Sequence, residues 1–172
     1  MHTYTYTQPL SIESTPMTSV YNEGVVYLTF QRFYAGKLTK FADKLMDYRY
    51  FLNYHVYNTN NELIFTCKKV SRKGRVYYEA KNLVEPQTYI VAYDKWKELI
   101  PDLMITDGNL KIKLHKEMEG WSRFTYDNKE IARWKAELNE EFSVQLEIEE
   151  DSPIQNAAFF VAISQCALFV GG

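Results

Sequence analysis

The stretch SPIQNAAFFVAISQCALFVGG, residues 152–172, constrains the fold more than any other part of the chain. Residues 153–170 read as one helix. Asp151, Ser152 and Pro153 form a start signal, because a Ser hydroxyl can accept from an orphan N–H and Pro is pre-shaped for the first helical position. Gly171 and Gly172 end it. At ~100° per residue, Gln155, Asn156, Ser164 and Gln165 fall near ~0°, ~100°, ~180° and ~280° around the axis, so no polar face exists. Such a helix must be surrounded on every side. Its large side chains (Ile154, Phe159, Phe160, Val161, Ile163, Leu168, Phe169, Val170) are each worth ~1.5–3 kcal/mol on burial, and its Ala residues let other backbone come close.

The enclosure is either a bilayer or the rest of the chain. A bilayer-spanning helix needs about 20 apolar residues, and this segment is marginal. It also carries four interior polar residues, an acidic flank (Glu149, Glu150, Asp151) and an immediate join to a patterned strand. These features favour a helix buried in protein.

The preceding segment, EFSVQLEIEED, alternates Phe142, Val144, Leu146 and Ile148 against Ser143, Gln145, Glu147 and Glu149, the signature of a half-buried strand. Leu110, Ile112 and Leu114, then Val26, Leu28 and Phe30, then Leu52, Tyr54 and Val56 repeat that logic. Asp107-Gly108 supplies a turn between strands. Further strands are expected at 3–7, 63–68, 75–80, 88–93, 103–106, 121–126 and 130–136, each bounded by Asn, Asp, Gly or Pro. The aromatic fraction of 16% agrees with a β-rich chain, since flat rigid side chains cover pleated surfaces well. About eleven short strands fit an antiparallel barrel or sandwich.

Helical spacing elsewhere is confined to Leu38, Phe41 and Leu45 in KLTKFADKLMD and to a turn or two starting at Asp94 and stopped by Pro101. Residues 1–24 are expected to form an N-terminal strand and an irregular arm, with 8–22 rich in Ser and Thr, packed on one domain at 25–172. Residues 56–69 and 124–137 echo one another as strand, polar turn, strand, although their inward parity disagrees.

The net charge of −2 offers no global attraction to nucleic acid, which is excluded as a partner. Charge is nonetheless uneven: residues 1–100 hold 13 Lys and Arg against 9 Asp and Glu, whereas 101–172 hold 7 against 13. Cys67 and Cys166 show neither metal spacing nor a disulfide framework, and read as reduced and buried. His2, His55 and His115 lie too far apart in sequence to suggest a metal site, and no phosphate-cradling loop or nucleophile elbow occurs. Paired acids such as Glu140-Glu141 and Glu149-Glu150 read as solvated strand ends. No catalytic residue, metal or cofactor is implied, and an enzyme is not expected. The N-terminal MHTYTYTQPLSIESTP has no basic start and no apolar core, so a cytoplasmic location is expected.

One concentrated feature remains. CKKVSRKGR places Lys68, Lys69, Arg72, Lys73 and Arg75 across a hairpin turn, a cluster able to hold phosphate oxygens, with Lys37, Lys40 and Arg49 as extensions if their loops share that end. Solvated turn charge explains the same residues without a ligand.

A run of hairpins followed by EFSVQLEIEEDSPIQNAAFFVAISQC, with YDNKEIARW before it, resembles the tubby C-terminal-like superfamily, in outline over 25–170 and specifically over 121–170. That group takes in tubby proteins, LURP-one-related proteins, phospholipid scramblases and short bacterial relatives. The resemblance implies a closed antiparallel barrel of about twelve strands around a central, buried, hydrophobic C-terminal helix. It also implies a non-enzymatic domain that meets anionic phospholipid head groups at a membrane surface. The chain lacks the Cys-rich stretch and calcium loop of the scramblases, so scrambling is not implied, and no phosphoinositide-contacting residue of tubby proteins transfers by position. The alternative is a protein-interaction domain whose partner meets a Tyr-rich strand face. An apolar-ligand barrel would need a vacant interior, which the helix should fill.

Overall fold

Alternating strands can bury their apolar side by closing into a barrel, and here the first and last strands meet. The computed structural model describes residues 1–9, 11–72, 75–94, 101–117, 120–138 and 142–168. Among these, twelve strands run β1 (His2–Gln8), β2 (Thr18–Asn22), β3 (Val25–Arg32), β4 (Asn53–Tyr57), β5 (Leu63–Arg72), β6 (Arg75–Asn82), β7 (Gln87–Asp94), β8 (Asp102–Thr106), β9 (Lys111–His115), β10 (Ser122–Tyr126), β11 (Lys129–Leu138) and β12 (Phe142–Ile148). Helix α1 (Lys37–Lys44) lies between β3 and β4, and α2 (Ala157–Ala167) follows β12. Each strand pairs antiparallel with its neighbours in sequence, and β1 closes the barrel on β12 from His2↔Ile148 to Gln8↔Phe142.

Inward positions agree with the alternation in the sequence except at Val26, which is exposed beside the register shift between Val20 and Tyr21. Leu28 and Phe30, Tyr54 and Val56, Ile112 and Leu114, and Val144, Leu146 and Ile148 are all buried. The strand β2 departs from the expected irregular arm. Only Val20 of Thr18–Asn22 is buried, and a register shift between Val20 and Tyr21 breaks its pairing with β3, so too little period-two signal survives to be read locally. The β8–β9 connection turns through Gly108 at φ +103, while the Asp107 carboxylate accepts from the backbone N–H groups of Asn109 and Leu110 at 2.9 and 2.8 Å. Those bonds hold the Asp107 carboxyl below the usual range.

The sequence echo is a structural one: both copies are bulged hairpins, with register shifts at Val56/Tyr57 and Phe124/Thr125. Their second strands bury opposite parities, Phe65 and Cys67 against Ala132 and Trp134. The short helix expected after Asp94 falls outside the described residues.

Helix α2 occupies the lumen, and every residue from Ala157 to Ala167 is buried. It begins later than the Ser-Pro signal suggests. The chain must first cross from the wall into the lumen, and Ser152 and Gln155 hold that crossing. Ser152 Oγ donates to the Ile154 carbonyl at 2.7 Å, and Gln155 Nε2 donates to the carbonyls of Glu149, Glu150 and Ser152. Asn156 then caps the helix by accepting from Ala158 N–H at 3.0 Å. Inside, Phe159 meets Tyr89 and Phe160 edge-on with centroids 4.9 and 5.0 Å apart, and Phe160 meets Phe124 at 5.0 Å. Gln165 Nε2 donates to the Tyr6 hydroxyl at 2.8 Å.

Two outcomes are expected. Phe160→Ala, which opens a cavity at a site with no exposure, should cost ~3–5 kcal/mol in urea unfolding. Burial also raises the phenols of Tyr6, Tyr54 and Tyr78, and raises Tyr4 from 10.0 to about 12. The folded state therefore keeps protons that the unfolded chain releases, so this stability is intact below pH 10.0 and lost as pH rises through about 12. Alkaline titration should show tyrosinate absorbance from these side chains appearing together with loss of circular dichroism.

Candidate functional site

Because strands alternate in direction, the topology sorts the loops onto two ends. One end carries the turns at 23–24, 58–62, 83–86, 107–110 and 127–128 and the crossing at 149–156. Exposed Glu23, Glu62, Glu85, Asp127, Glu150 and Asp151 make it acidic, with Lys129 bound to Asp151 and the N-terminal amine to Glu150. The other end carries residues 9, 11–17, 33–52, 116, 117, 120 and 121, together with the close of β5 at Arg72 and the start of β6 at Arg75. There Lys37, Lys40, Lys44 and Arg49 are exposed, against the acids Glu13, Asp47, Glu117 and Glu137, while Asp94 and Asp102 pair with Lys113.

The largest loop of the basic end, 33–52, is held by one buried ion pair. Asp43 accepts from Arg32 Nη2 at 2.6 Å, the Tyr34 hydroxyl at 2.7 Å, and the backbone N–H groups of Tyr50 and Phe51 at 3.0 and 2.8 Å. Arg32 also donates to the carbonyls of Ile12 and Tyr48, both at 2.6 Å, which ties the 11–17 segment to the same knot. Both charges are shut off from water, with side chains 1% and 0% exposed, so their many hydrogen bonds are what offsets desolvation. Burial and the bond to Asp43 raise the Tyr34 phenol. Beside the knot, Thr15, Arg32, Tyr34, Gly36, Lys37 and Lys40 line an open cleft of about 410 Å³. The first turn of α1 opens into it from Gly36 with no side-chain cap and no acidic residue, so the cleft suits a negative group.

The five basic residues of the β5–β6 hairpin divide. Lys68 is exposed, between Asn53 and Glu79 in register. Lys69 sits on the alternate face, where its Nζ donates to the Arg49 carbonyl at 2.9 Å and burial lowers its pKa. It spends its charge tying the hairpin to the 33–52 loop. Arg72 and Arg75 are register partners in the backbone, and their side chains and all of Lys73 lie outside the described residues. Lys37, Lys40 and Arg49 do share this end of the barrel.

Among the described residues, no cluster of His, Cys, Asp and Glu could hold a metal ion. His55 stacks on Phe33 with centroids 4.2 Å apart, and burial lowers its pKa. His115 Nδ1 lies 3.1 Å from Asp102. Cys67 and Cys166 are free and buried, and burial pushes the Cys166 thiol up, away from thiolate chemistry. Among the described residues, no helix is long and apolar enough to cross a membrane.

The chain matches the family model of the Tubby C-terminal like domain over residues 4–170, and it belongs to that family. No curated protein and no solved structure matches it.

Removing the Asp43 carboxylate strands a buried guanidinium. Asp43→Ala should therefore cost ~3–5 kcal/mol by urea unfolding, whereas Lys40→Ala at the exposed rim should stay within ~0.5 kcal/mol.

Proposed function

We propose that this protein is a non-enzymatic binding domain that docks end-on to anionic phospholipid head groups, peripheral to a membrane on its cytoplasmic side. The contacts come from the β5–β6 hairpin, through Lys68, Arg72, Lys73 and Arg75, joined by Lys37, Lys40 and Arg49. Lys69 supports them by fastening the hairpin to Arg49.

The observation that carries this reading is the separation of charge between the two ends of the barrel. A molecule with net charge −2 is repelled by an anionic surface in most orientations. The lysines of α1, with Arg49, offer a local patch of the opposite sign. Near such a surface each cation contributes ~1 kcal/mol, and the attraction fades over a Debye length of ~8 Å. Membership of the tubby-like family supports a binding role over a catalytic one.

A second reading, a protein-interaction domain, rests on the β2–β3 hairpin, where Tyr21, Val25, Val26 and Tyr27 are exposed together. In that case Val25→Ser with Tyr27→Ser would abolish partner binding while vesicle experiments show no interaction.

Co-sedimentation with phosphatidylserine vesicles tests the lipid reading. The wild type should pellet with these vesicles, bind less as salt rises and ignore pure phosphatidylcholine. Changing Lys68, Arg72, Lys73 and Arg75 to Gln should weaken binding at least about tenfold, given ~1 kcal/mol per charge. Undiminished salt-sensitive binding by that variant would rule out the hairpin.

A further inference from the structure

Helix α1 is built inside out. A surface helix ordinarily turns its apolar stripe to the core and its charges to water. In α1 and the residue that caps it, Leu38, Phe41 and Leu45 are 81%, 60% and 74% exposed, while the one buried residue of the helix is Asp43. At ~100° per residue these three side chains span an arc of only ~60°, and Asp43 lies roughly opposite. The cause is the Arg32–Asp43 knot. Four donors converge on that carboxylate, so the rotation of the helix about its axis is locked with the apolar stripe outward.

The flanks of the stripe identify what covers it. Lys37, Lys40 and Lys44 gather on one side, ~100–160° from Leu38, and each is exposed. Met46 and Tyr50, 49% and 42% exposed, continue the apolar surface past the helix end. Apolar side chains beside a row of lysines complement a bilayer whose acyl chains lie beneath anionic phosphates. A second copy of this chain complements it poorly, because the same stripe on that copy is flanked by lysines and offers no anionic group to meet this row. With ~1.5 Å of rise per residue the helix is ~12 Å long, far short of a ~30 Å hydrocarbon core, so it can only lie in the interface plane.

We infer that α1 is a membrane-inserting element, in which Leu38, Phe41 and Leu45 enter the acyl boundary of an anionic bilayer and Lys37, Lys40 and Lys44 meet its phosphates. This rests on the end-on docking proposed above and adds a hydrophobic contact to it. Electrostatic attraction brings the basic end to the surface, and the stripe then holds it there after salt has screened the charges.

The test uses the full chain and two measurements. Leu38→Ser, Phe41→Ser and Leu45→Ser together should keep the wild-type melting temperature, since the three side chains are exposed. The triple variant should lose at least about tenfold in partition onto phosphatidylserine vesicles and lose all salt-resistant binding. Cys67 and Cys166, the two cysteines of the chain, are buried, so Phe41→Cys offers one accessible thiol for an environment-sensitive dye. That dye should shift to the blue on vesicles and be quenched by lipid bearing a nitroxide on its acyl chain. The same dye at Asp127→Cys, on the acidic end, should do neither. Wild-type binding with unchanged partition of the triple variant, or without quenching at position 41, overturns insertion and leaves head-group docking standing. Absence of any wild-type binding to anionic vesicles overturns both. Loss of self-association or of a protein complex in the triple variant, without change on vesicles, assigns the stripe to protein and also overturns insertion.

Discussion

A helix without a polar side cannot stand in water, and the whole molecule is arranged around that constraint. Eleven consecutive residues of α2 are buried, and the wall that buries them is made by the same chain. A helix with its side chains is ~10–12 Å across, and small eight-stranded barrels have interiors that side chains alone can fill. Twelve strands enclose the wider lumen that a helix requires. Barrel and helix are therefore one unit: unplugged, the barrel would hold a void, and unsheathed, α2 would aggregate. The edge-to-face contacts of Phe159 and Phe160 with Tyr89 and Phe124 join the two across the lumen. Closure by β1 on β12 also removes every free edge among the described strands.

With the interior filled, binding is left to the surface, and the loops at the barrel's ends carry the strongest chemical contrast there. Antiparallel strands send successive loops to opposite ends, and among the described residues more of the exposed acids lie at one end while α1 groups Lys37, Lys40 and Lys44 at the other. The basic end is organised by a buried ion pair rather than by an apolar cluster. Arg32 and Asp43 draw together the 11–17 segment, α1 and the approach to β4. Such pairs contribute little net stability but specify geometry, and here the geometry is the outward roll of α1.

Much of the fold was legible because its signals are local. Phe142, Val144, Leu146 and Ile148 report a strand without knowledge of any partner, since side-chain direction alternates with period two. The lack of a polar face over 157–167, where Ser164 and Gln165 fall on different sides of the axis, likewise reports enclosure from local sequence. What was hidden had non-local causes. The strand β2 has one buried side chain, Val20, and becomes a strand by pairing with β1 and β3. The start of α2 waits for Asn156 because the chain must first enter the lumen. The site was less legible than the fold. The cluster from Lys68 to Arg75 was visible as charge density, yet its division was not, because Lys69 turns to an Arg49 carbonyl twenty residues away in sequence.

Leu38, Phe41 and Leu45 give the sharpest contrast. Their spacing announces an amphipathic helix and ordinarily implies that the stripe faces inward. By itself, then, the sequence determined which segments alternate, which helix must be enclosed, and that the charge is unevenly distributed along the chain. Only the tertiary structure decided which end each charge occupies and which way α1 is rolled. Periodicity depends on neighbours a few bonds away, whereas the rotation of a helix depends on Arg32, brought to Asp43 by the course of β3.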